Sequence, residues 1–143
     1  MSDQFKKAAR FIRLYGVRRT LVKIFGRTSA LFDIKLLFPL AALKKNDARV
    51  ALIGAGQFGL TTISYFLLKN YGVSIEKVAD ISADRLALAS SFHSRVKKTL
   101  INEGFCIESF LEDVDVVFIA SNHHSHSHYA AVALKKGLRV HVE

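Results

Sequence analysis

The feature that most constrains this chain is a glycine-rich turn directly after a short apolar run. Residues 50–53 (VALI) have the continuous apolar character of a buried strand, and residues 54–59 (GAGQFG) match G-x-G-x-x-G. In such a turn the first glycine allows the bend, the second lets a pyrophosphate approach, and the third lets the following helix pack closely. The turn therefore predicts a dinucleotide-binding site, with contacts from Gly54, Ala55, Gly56, Gln57, Phe58 and Gly59.

An acidic residue stands at the distance from this turn that a dinucleotide site requires. A second strand-like segment, residues 75–79, ends at Asp80, which lies 21 residues after Gly59. The acid that binds the adenosine ribose is expected about 20 residues after the glycines. The order of strand, glycine turn, helix, strand and acid favours this site over the alternative, a βαβ turn whose glycines serve only packing.

Strands and helices alternate through the rest of the chain. We predict helices over residues 57–70, 82–92 and about 128–136, with Ser82 as an N-cap, and strands over residues 73–79, 104–107, 115–120 and 138–142. The strand over 115–120 is predicted to be fully buried, and residues 95–103 to be loose. This alternation predicts an α/β fold with a doubly wound parallel sheet, Rossmann-like, of about five strands and incomplete.

The positive charge of the chain divides it into two parts. The net charge of +9 comes from residues 1–49, which hold 12 basic and 3 acidic residues, whereas residues 50–143 hold 9 of each. We therefore predict a basic helical extension over residues 1–47 and a neutral dinucleotide-binding domain over residues 48–143. The single cysteine, Cys106, excludes an internal disulfide and is expected to be a buried thiol in a reducing, cytoplasmic compartment.

The basic extension allows several interpretations. Residues 3–26 carry apolar residues at helical spacing beside lysine and arginine, so they form either a helical arm that packs on its own domain or a second subunit, or a peripheral membrane contact. Residues 18–23 (RRTLVK) resemble a twin-arginine export signal, but Arg27, Asp33 and Lys35 argue against it. The longest uncharged run there, residues 36–43, is too short to span a membrane. No recognition motif accompanies the charge, so we expect no nucleic-acid partner.

A histidine-rich loop over residues 122–128 (NHHSHSH) invites a metal-site interpretation. No acid or thiol accompanies these histidines, and we predict no physiological metal site. The loop follows the strand over 115–120, so it lies at the carboxyl ends of the parallel strands, where a nucleotide crosses a doubly wound sheet.

Residues 49–143 resemble the N-terminal domain of the Gfo/Idh/MocA oxidoreductases, a family that includes glucose–fructose oxidoreductase and inositol dehydrogenase. The matching segments are residues 50–59, residues 79–85 (ADISADR), and residues 114–121 (VDVVFIAS) continued through His126, Ala130, Gly137 and residues 140–143. The last segment is the most specific, since the family carries a T-P-N-x-x-H loop, an alanine-rich helix and a strand ending in E-K-P.

The resemblance implies a role for each matching position. Gly54, Gly56 and Gly59 would hold the pyrophosphate, and Asp80 would bind the adenosine ribose and favour NAD over NADP, although Arg85 is placed to accept a 2′-phosphate. The nicotinamide half would be lined by Ser121, Asn122, His123, His126 and, near its ribose, Glu143. Asn122 stands at the family's proline position and His123 at its asparagine position, so the loop backbone is expected to differ.

The resemblance also implies what the chain does and lacks. The family's catalytic lysine and its substrate domain would follow Glu143, so we expect an NAD-binding fragment with no catalytic residue of its own and no turnover alone. The intact enzyme would act on a sugar, a polyol or a nucleotide sugar. The chain would form a homo-oligomer or bind a partner chain that carries the missing domain. The alternative is a non-enzymatic nucleotide-binding module that docks to a membrane or a partner through its basic arm.

Overall fold

A computed structural model describes residues 3–28 and 47–143. In chain order the elements are α1 (Asp3–Tyr15), α2 (Val17–Thr28), β1 (Val50–Ile53), α3 (residues 57–71), β2 (Ile75–Asp80), α4 (Ala83–Ala89), β3 (Lys97–Leu100), α5 (Ile107–Phe110), β4 (Val116–Ile119), α6 (His123–Lys135) and β5 (Arg139–Val142). Two segments of α3, Gly59–Ser64 and Leu67–Tyr71, are wound as the wider π-helix. The part of the predicted extension at residues 29–46 lies outside the described residues.

The five strands form one parallel sheet in the order β3-β2-β1-β4-β5. The chain winds outward from β1 through β2 to β3, then returns to place β4 on the other side of β1. The strand order therefore reverses between β1 and β4, which is the point where open α/β sheets bind their ligands. This topology confirms the predicted doubly wound, Rossmann-like fold and the helices that precede it.

Alternate residues of β1 point into two separate hydrophobic cores, one on each face of the sheet. Val50 and Leu52 pack with side chains of α3 and α4, whereas Ala51 and Ile53 pack with α5, α6 and the interior of β4. All four side chains are buried, as expected for the central strand of the sheet. The turn that follows β1 is therefore held by packing on both faces of the sheet.

A charged cluster fixes the start of β1 beside the start of β4, at the end of the sheet opposite the glycine turn. The Arg49 guanidinium contacts Asp115 at 3.0 Å and Asp113 at 3.3 Å, and the Arg49 N–H also donates to the Asp115 carboxylate at 2.8 Å. The side-chain hydrogen bond from Arg49 holds the pKa of Asp115 below its usual range. The same bond raises the pKa of Arg49.

The two N-terminal helices form a hairpin that packs on α3. They meet at Gly16, whose φ of +83° allows the sharp turn between them. Val22 of α2 is fully buried in the same core as α3, and Thr20 is buried beside it with its hydroxyl donating to the Gly16 carbonyl at 2.9 Å. The Arg19 guanidinium lies over the rings of Tyr65 and Phe66, at 5.7 and 4.6 Å from their centroids.

Five local predictions were wrong. Residues 95–103, predicted to be loose, contain strand β3. The histidine-rich residues predicted to form a loop are the first turns of α6, which begins at His123. The third strand is Lys97–Leu100 instead of residues 104–107, where the chain turns and enters the short helix α5. Strand β4 is only partly buried, because Val116 and Phe118 are half-buried. Cys106 is exposed, with its Sγ 3.5 Å from a carboxylate oxygen of Glu108.

Across residues 3–28 and 47–143, none of the helices has both the length and the apolar character needed to cross a membrane. The predicted N-cap of α4 is present, since the Ser82 hydroxyl accepts a hydrogen bond from the Arg85 N–H.

Candidate functional site

The glycine turn after β1 is held by contacts that a side chain would disrupt. Gly54 has a φ of +98°, and its N–H donates to the Ala79 carbonyl at 2.8 Å. A Cβ added to Gly54 would lie 2.7 Å from the Ser121 nitrogen and closer still to the Ala120 carbonyl oxygen. A Cβ added to Gly59 would overlap the Gly54 carbonyl oxygen and contact Leu52 at 3.3 Å. The end of β4 and the start of α3 therefore both press against this turn.

Gly56 differs from the other two glycines of the turn, because a Cβ placed there meets no atom within 4 Å. It lies at the start of α3, where the helix end presents backbone N–H groups and a positive dipole end. The space beside Gly56 opens into the cleft described below. A negatively charged ligand group therefore has room to approach the helix start at this position.

Asp80, at the end of β2, accepts two backbone hydrogen bonds, and one of them comes from the same turn. Its carboxylate accepts from the Ala55 N–H at 2.6 Å and from the Ser82 N–H at 2.8 Å. The side chain is largely buried, with 8% of the residue exposed, and it borders the cleft. An ionised carboxylate has about four acceptor positions, so two stay available to a ligand's hydroxyl groups.

A cleft of about 360 Å³ runs across the carboxyl ends of the strands at the reversal of strand order. It begins at Asp80, passes Gly56 and ends beside the first turn of α6. Its lining comes from the ends of β1, β2, β3 and β4 and from three helix starts: Gly54, Gly56, Asp80, Ile81, Ser82, Arg85, Ile101, Ala120, Ser121, Asn122, His124, Ser125 and Tyr129.

Hydrogen bonds order the segment that joins β4 to α6. The hydroxyl groups of Ser121 and Ser125 lie 2.8 Å apart, and Ser125 also donates to the Asn122 carbonyl at 2.8 Å. His126 Nε2 lies 2.8 Å from the Ser121 carbonyl oxygen, so Nε2 carries the proton and donates it. This segment forms one wall of the cleft in a fixed conformation.

The structure brings six of the predicted site residues to the cleft: Gly54, Gly56, Asp80, Arg85, Ser121 and Asn122. Ala55, Gly59 and His126 do not border the cleft themselves, but each lies against a residue that does, as described above. Phe58 is 41% exposed and borders a separate apolar groove beside Phe118 and His141.

The remaining predicted residues do not border the cleft. Gln57 lies in the first turn of α3, where its carbonyl accepts from the Thr61 hydroxyl at 2.7 Å. The His123 ring faces that of His126, at 5.2 Å between centroids. Glu143 is exposed after β5, and its carboxylate lies 3.8 Å from His141 Nε2.

Several cleft residues were missed from the sequence. Ile81 and Ser82 follow Asp80 directly, so their position after a strand end was a usable signal. Ser125 and Tyr129 reach the cleft from α6 and share one side of that helix because they are four residues apart. Within the described ranges, no group of three or more His, Cys, Asp or Glu side chains is arranged to hold a metal ion.

These features fit a dinucleotide. The open space at Gly56 suits a pyrophosphate at a helix start, and the free acceptor positions of Asp80 suit a ribose diol. Hydroxyl groups from Ser121 and Ser125 stand at the far end of the same cleft. The cleft is therefore polar at both ends and glycine-lined in the middle.

Comparison with known proteins agrees with this arrangement. The sequence model of the Gfo/Idh/MocA oxidoreductases, described as an oxidoreductase family with an NAD-binding Rossmann fold, matches residues 48–143. The chain belongs to the Gfo/Idh/MocA oxidoreductase family. Residues 48–143 are its NAD-binding Rossmann domain, as the resemblance predicted.

Two solved structures have a similar fold. A myo-inositol 2-dehydrogenase from Lactobacillus plantarum superposes with a TM-score of 0.56 at 23% identity. A scyllo-inositol dehydrogenase from Lactobacillus casei, solved with bound NAD(H) and scyllo-inositol, gives a TM-score of 0.55 at 17% identity. In each case the match covers 68% of this chain and 28% of the other chain. No curated protein matches the sequence significantly.

Proposed function

We propose that this Gfo/Idh/MocA domain binds NAD for an oxidoreductase that acts on a sugar, a polyol or a nucleotide sugar. Bound NAD would supply the hydride-transfer chemistry, between nicotinamide and a carbinol carbon of the substrate. The substrate class is supported by the family and by the inositol dehydrogenases whose fold the domain shares. The task of this chain is to bind and orient the cofactor.

The observation that carries the proposal is the pairing of Asp80 with the glycine turn inside one cleft. Asp80 retains acceptor positions for the adenosine ribose while it holds the Ala55 N–H. Gly56 leaves open space for the pyrophosphate at the start of α3. The wall formed by Ser121 and Asn122 would meet the nicotinamide half.

The charge of Asp80 also supports a preference for NAD over NADP. A 2′-phosphate on the adenosine ribose would be brought beside a largely buried carboxylate, and the two negative charges would repel each other. Arg85 borders the same part of the cleft and opposes this preference, but its side chain is exposed, so solvent weakens its attraction.

Calorimetric titration of the chain with NAD and with NADP tests the proposal. We expect Asp80→Asn to weaken NAD binding about tenfold to a hundredfold, because a hydrogen bond to a charged group is worth about 1.5–3 kcal/mol. Asp80→Asn retains one carbonyl oxygen for the Ala55 N–H. Asp84→Asn is the matched control, since it removes the same charge from an exposed position of α4 that does not border the cleft.

Circular dichroism and thermal melting of each variant separate lost binding from lost folding. If folded Asp80→Asn binds NAD as tightly as Asp84→Asn does, Asp80 has no role in holding the ribose. If the unsubstituted chain binds NADP as tightly as NAD, the argument from the charge of Asp80 fails.

A further inference from the structure

The α1–α2 hairpin uses only part of its surface to pack on the domain. Val22 and Thr20 face α3 and are buried, and Arg19 covers the rings of Tyr65 and Phe66. On the inner side of the hairpin, Lys23 lies over the Phe11 ring at 4.4 Å. These contacts determine which side of α2 faces the domain, and the residues on either side of Gly16 are exposed to solvent.

Large apolar side chains are exposed at that turn. Leu14 is 62% exposed and Val17 57%, and Tyr15 and Ile12 lie beside them at 51% and 41%. All four flank Gly16, and the space around the position of a Gly16 Cβ is empty to 4 Å. Isolated exposed apolar residues are ordinary, but four on either side of one turn form an apolar tip.

Exposed basic residues lie close in sequence to the apolar tip. Arg10, Arg13 and Arg18 are exposed within four residues of it, and Lys6 and Lys7 continue the charge along α1. The sequence of α1 and α2 holds eight basic residues and a single acid, Asp3. The hairpin therefore accounts for most of the positive charge of the chain.

We propose that the α1–α2 hairpin is a peripheral docking site for an anionic lipid surface. An apolar tip flanked in sequence by exposed arginines matches the interface of a bilayer, where apolar side chains enter the headgroup boundary and basic side chains meet lipid phosphates. A nucleic-acid backbone would meet the same charges, but it offers nothing to Leu14 and Val17. The apolar tip is therefore the observation that favours lipid.

The two contributions can be separated because different residues make them. Each basic residue at an anionic surface strengthens binding about fivefold, so removing three of them weakens it about a hundredfold. Truncating Leu14 to alanine removes most of one exposed apolar side chain and weakens binding about tenfold. The first contribution is screened by salt and the second is not.

Co-sedimentation with vesicles tests the proposal. We expect the full chain to bind vesicles of phosphatidylserine and phosphatidylcholine, to lose most of that binding at high salt, and to bind pure phosphatidylcholine weakly. The combined variant R10Q/R13Q/R18Q is expected to lose binding about a hundredfold. The matched control K97Q/K135Q/K136Q removes the same charge from exposed positions of the domain and is expected to retain binding.

A fluorescent probe tests insertion of the tip directly. The chain contains no tryptophan, so Leu14→Trp gives a single emission signal. Leu134→Trp is its matched control, because Leu134 is 61% exposed and lies on α6, which packs on the opposite face of the sheet from α3. We expect a blue shift with anionic vesicles for Leu14→Trp and none for Leu134→Trp.

The outcomes decide for or against the proposal. A blue shift confined to Leu14→Trp, with vesicle binding lost in the arginine variant alone, supports it. Absence of vesicle binding by the folded chain overturns it, and so does equal loss in the lysine control. Duplex-DNA binding that is stronger than vesicle binding and indifferent to Leu14→Ala would also overturn it, in favour of a nucleic-acid partner. NAD titration of the same variants is independent, because none of these residues borders the cleft.

Discussion

The third glycine of the turn offers a prediction whose size follows from the structure. A Cβ at position 59 would lie well under 3.0 Å from the Gly54 carbonyl oxygen, a separation that real Cβ atoms essentially never show. The same Cβ would contact both methyl groups of Leu52, at 3.3 and 3.4 Å. In Gly59→Ala, α3 must therefore move away from β1, and the buried contacts between them must loosen.

The expected cost can be estimated from overpacking in other cores. Forcing an extra carbon into a packed interior costs about 1–3 kcal/mol, and the better helix propensity of alanine returns up to about 1 kcal/mol. We expect Gly59→Ala to lower the free energy of unfolding by about 1–2 kcal/mol. For a chain of this size, that corresponds to a decrease of about 4–8 °C in the melting temperature.

Gly56→Ala is the matched comparison, because its Cβ meets no atom within 4 Å but stands in the cleft. We expect it to melt within about 2 °C of the unsubstituted chain and to bind NAD at least tenfold more weakly, because the methyl group occupies space for the pyrophosphate. Calorimetric melting gives the melting temperature of each variant, and titration gives its affinity for NAD. The reasoning is refuted if Gly59→Ala melts like the unsubstituted chain, or if Gly56→Ala is the less stable of the two.

Two further predictions concern charged contacts outside the cleft. Because Arg49 lowers the pKa of Asp115, this pair adds stability above the unfolded pKa of about 3.9, and that stability is lost as the pH falls through the lowered folded value. As the pH is lowered through the acid range, the melting temperature of Asp115→Asn should therefore fall less steeply than that of the unsubstituted chain. An equal slope for the two proteins would contradict this. Urea unfolding should show a loss of about 1 kcal/mol in Arg19→Ala, which removes the cation–π contacts with Tyr15, Tyr65 and Phe66. Arg18→Ala, at the exposed neighbouring residue, should leave the free energy of unfolding unchanged. Equal losses in the two variants would mean that these ring contacts contribute nothing to stability.

The core of the fold could be predicted because its signals are local. The apolar run of β1, the glycine spacing and Asp80 all lie within 31 residues, and each imposes a specific backbone or packing requirement. Ser82 was identifiable as the N-cap of α4 for the same reason, since a serine before a helical pattern satisfies an unpaired N–H. Such requirements do not depend on distant parts of the chain.

Strand β3 was missed because it is an edge strand. Lys97 and Lys98 are exposed, and the strand is stabilised by its hydrogen bonds to β2 instead of by an apolar pattern. Lysines on an edge also discourage pairing with other chains. The apolar residues 105–107 have the sequence pattern of a short strand. In the structure they stabilise α5 instead, and the Phe105 ring packs against that of Phe110.

The composition of the cleft wall depends on tertiary structure that the sequence does not encode locally. Tyr129 borders the cleft from the second turn of α6, and no spacing in residues 122–128 specifies how that helix packs on the sheet. The resemblance assigned a cofactor contact to His126 and none to His124. In the structure His126 bonds the Ser121 carbonyl behind the wall, whereas His124 borders the cleft.

The contact between Gly54 and the end of β4 has a consequence for how this turn tolerates genetic change. The atoms that exclude a side chain at position 54 are the backbone of Ala120 and Ser121, which every amino acid shares. Shortening a neighbouring side chain therefore creates no room, and the positive φ is a separate obstacle that no neighbour relieves. A suppressor screen started from Gly54→Ala should return reversion at that codon and no compensating substitution at positions 120 or 121.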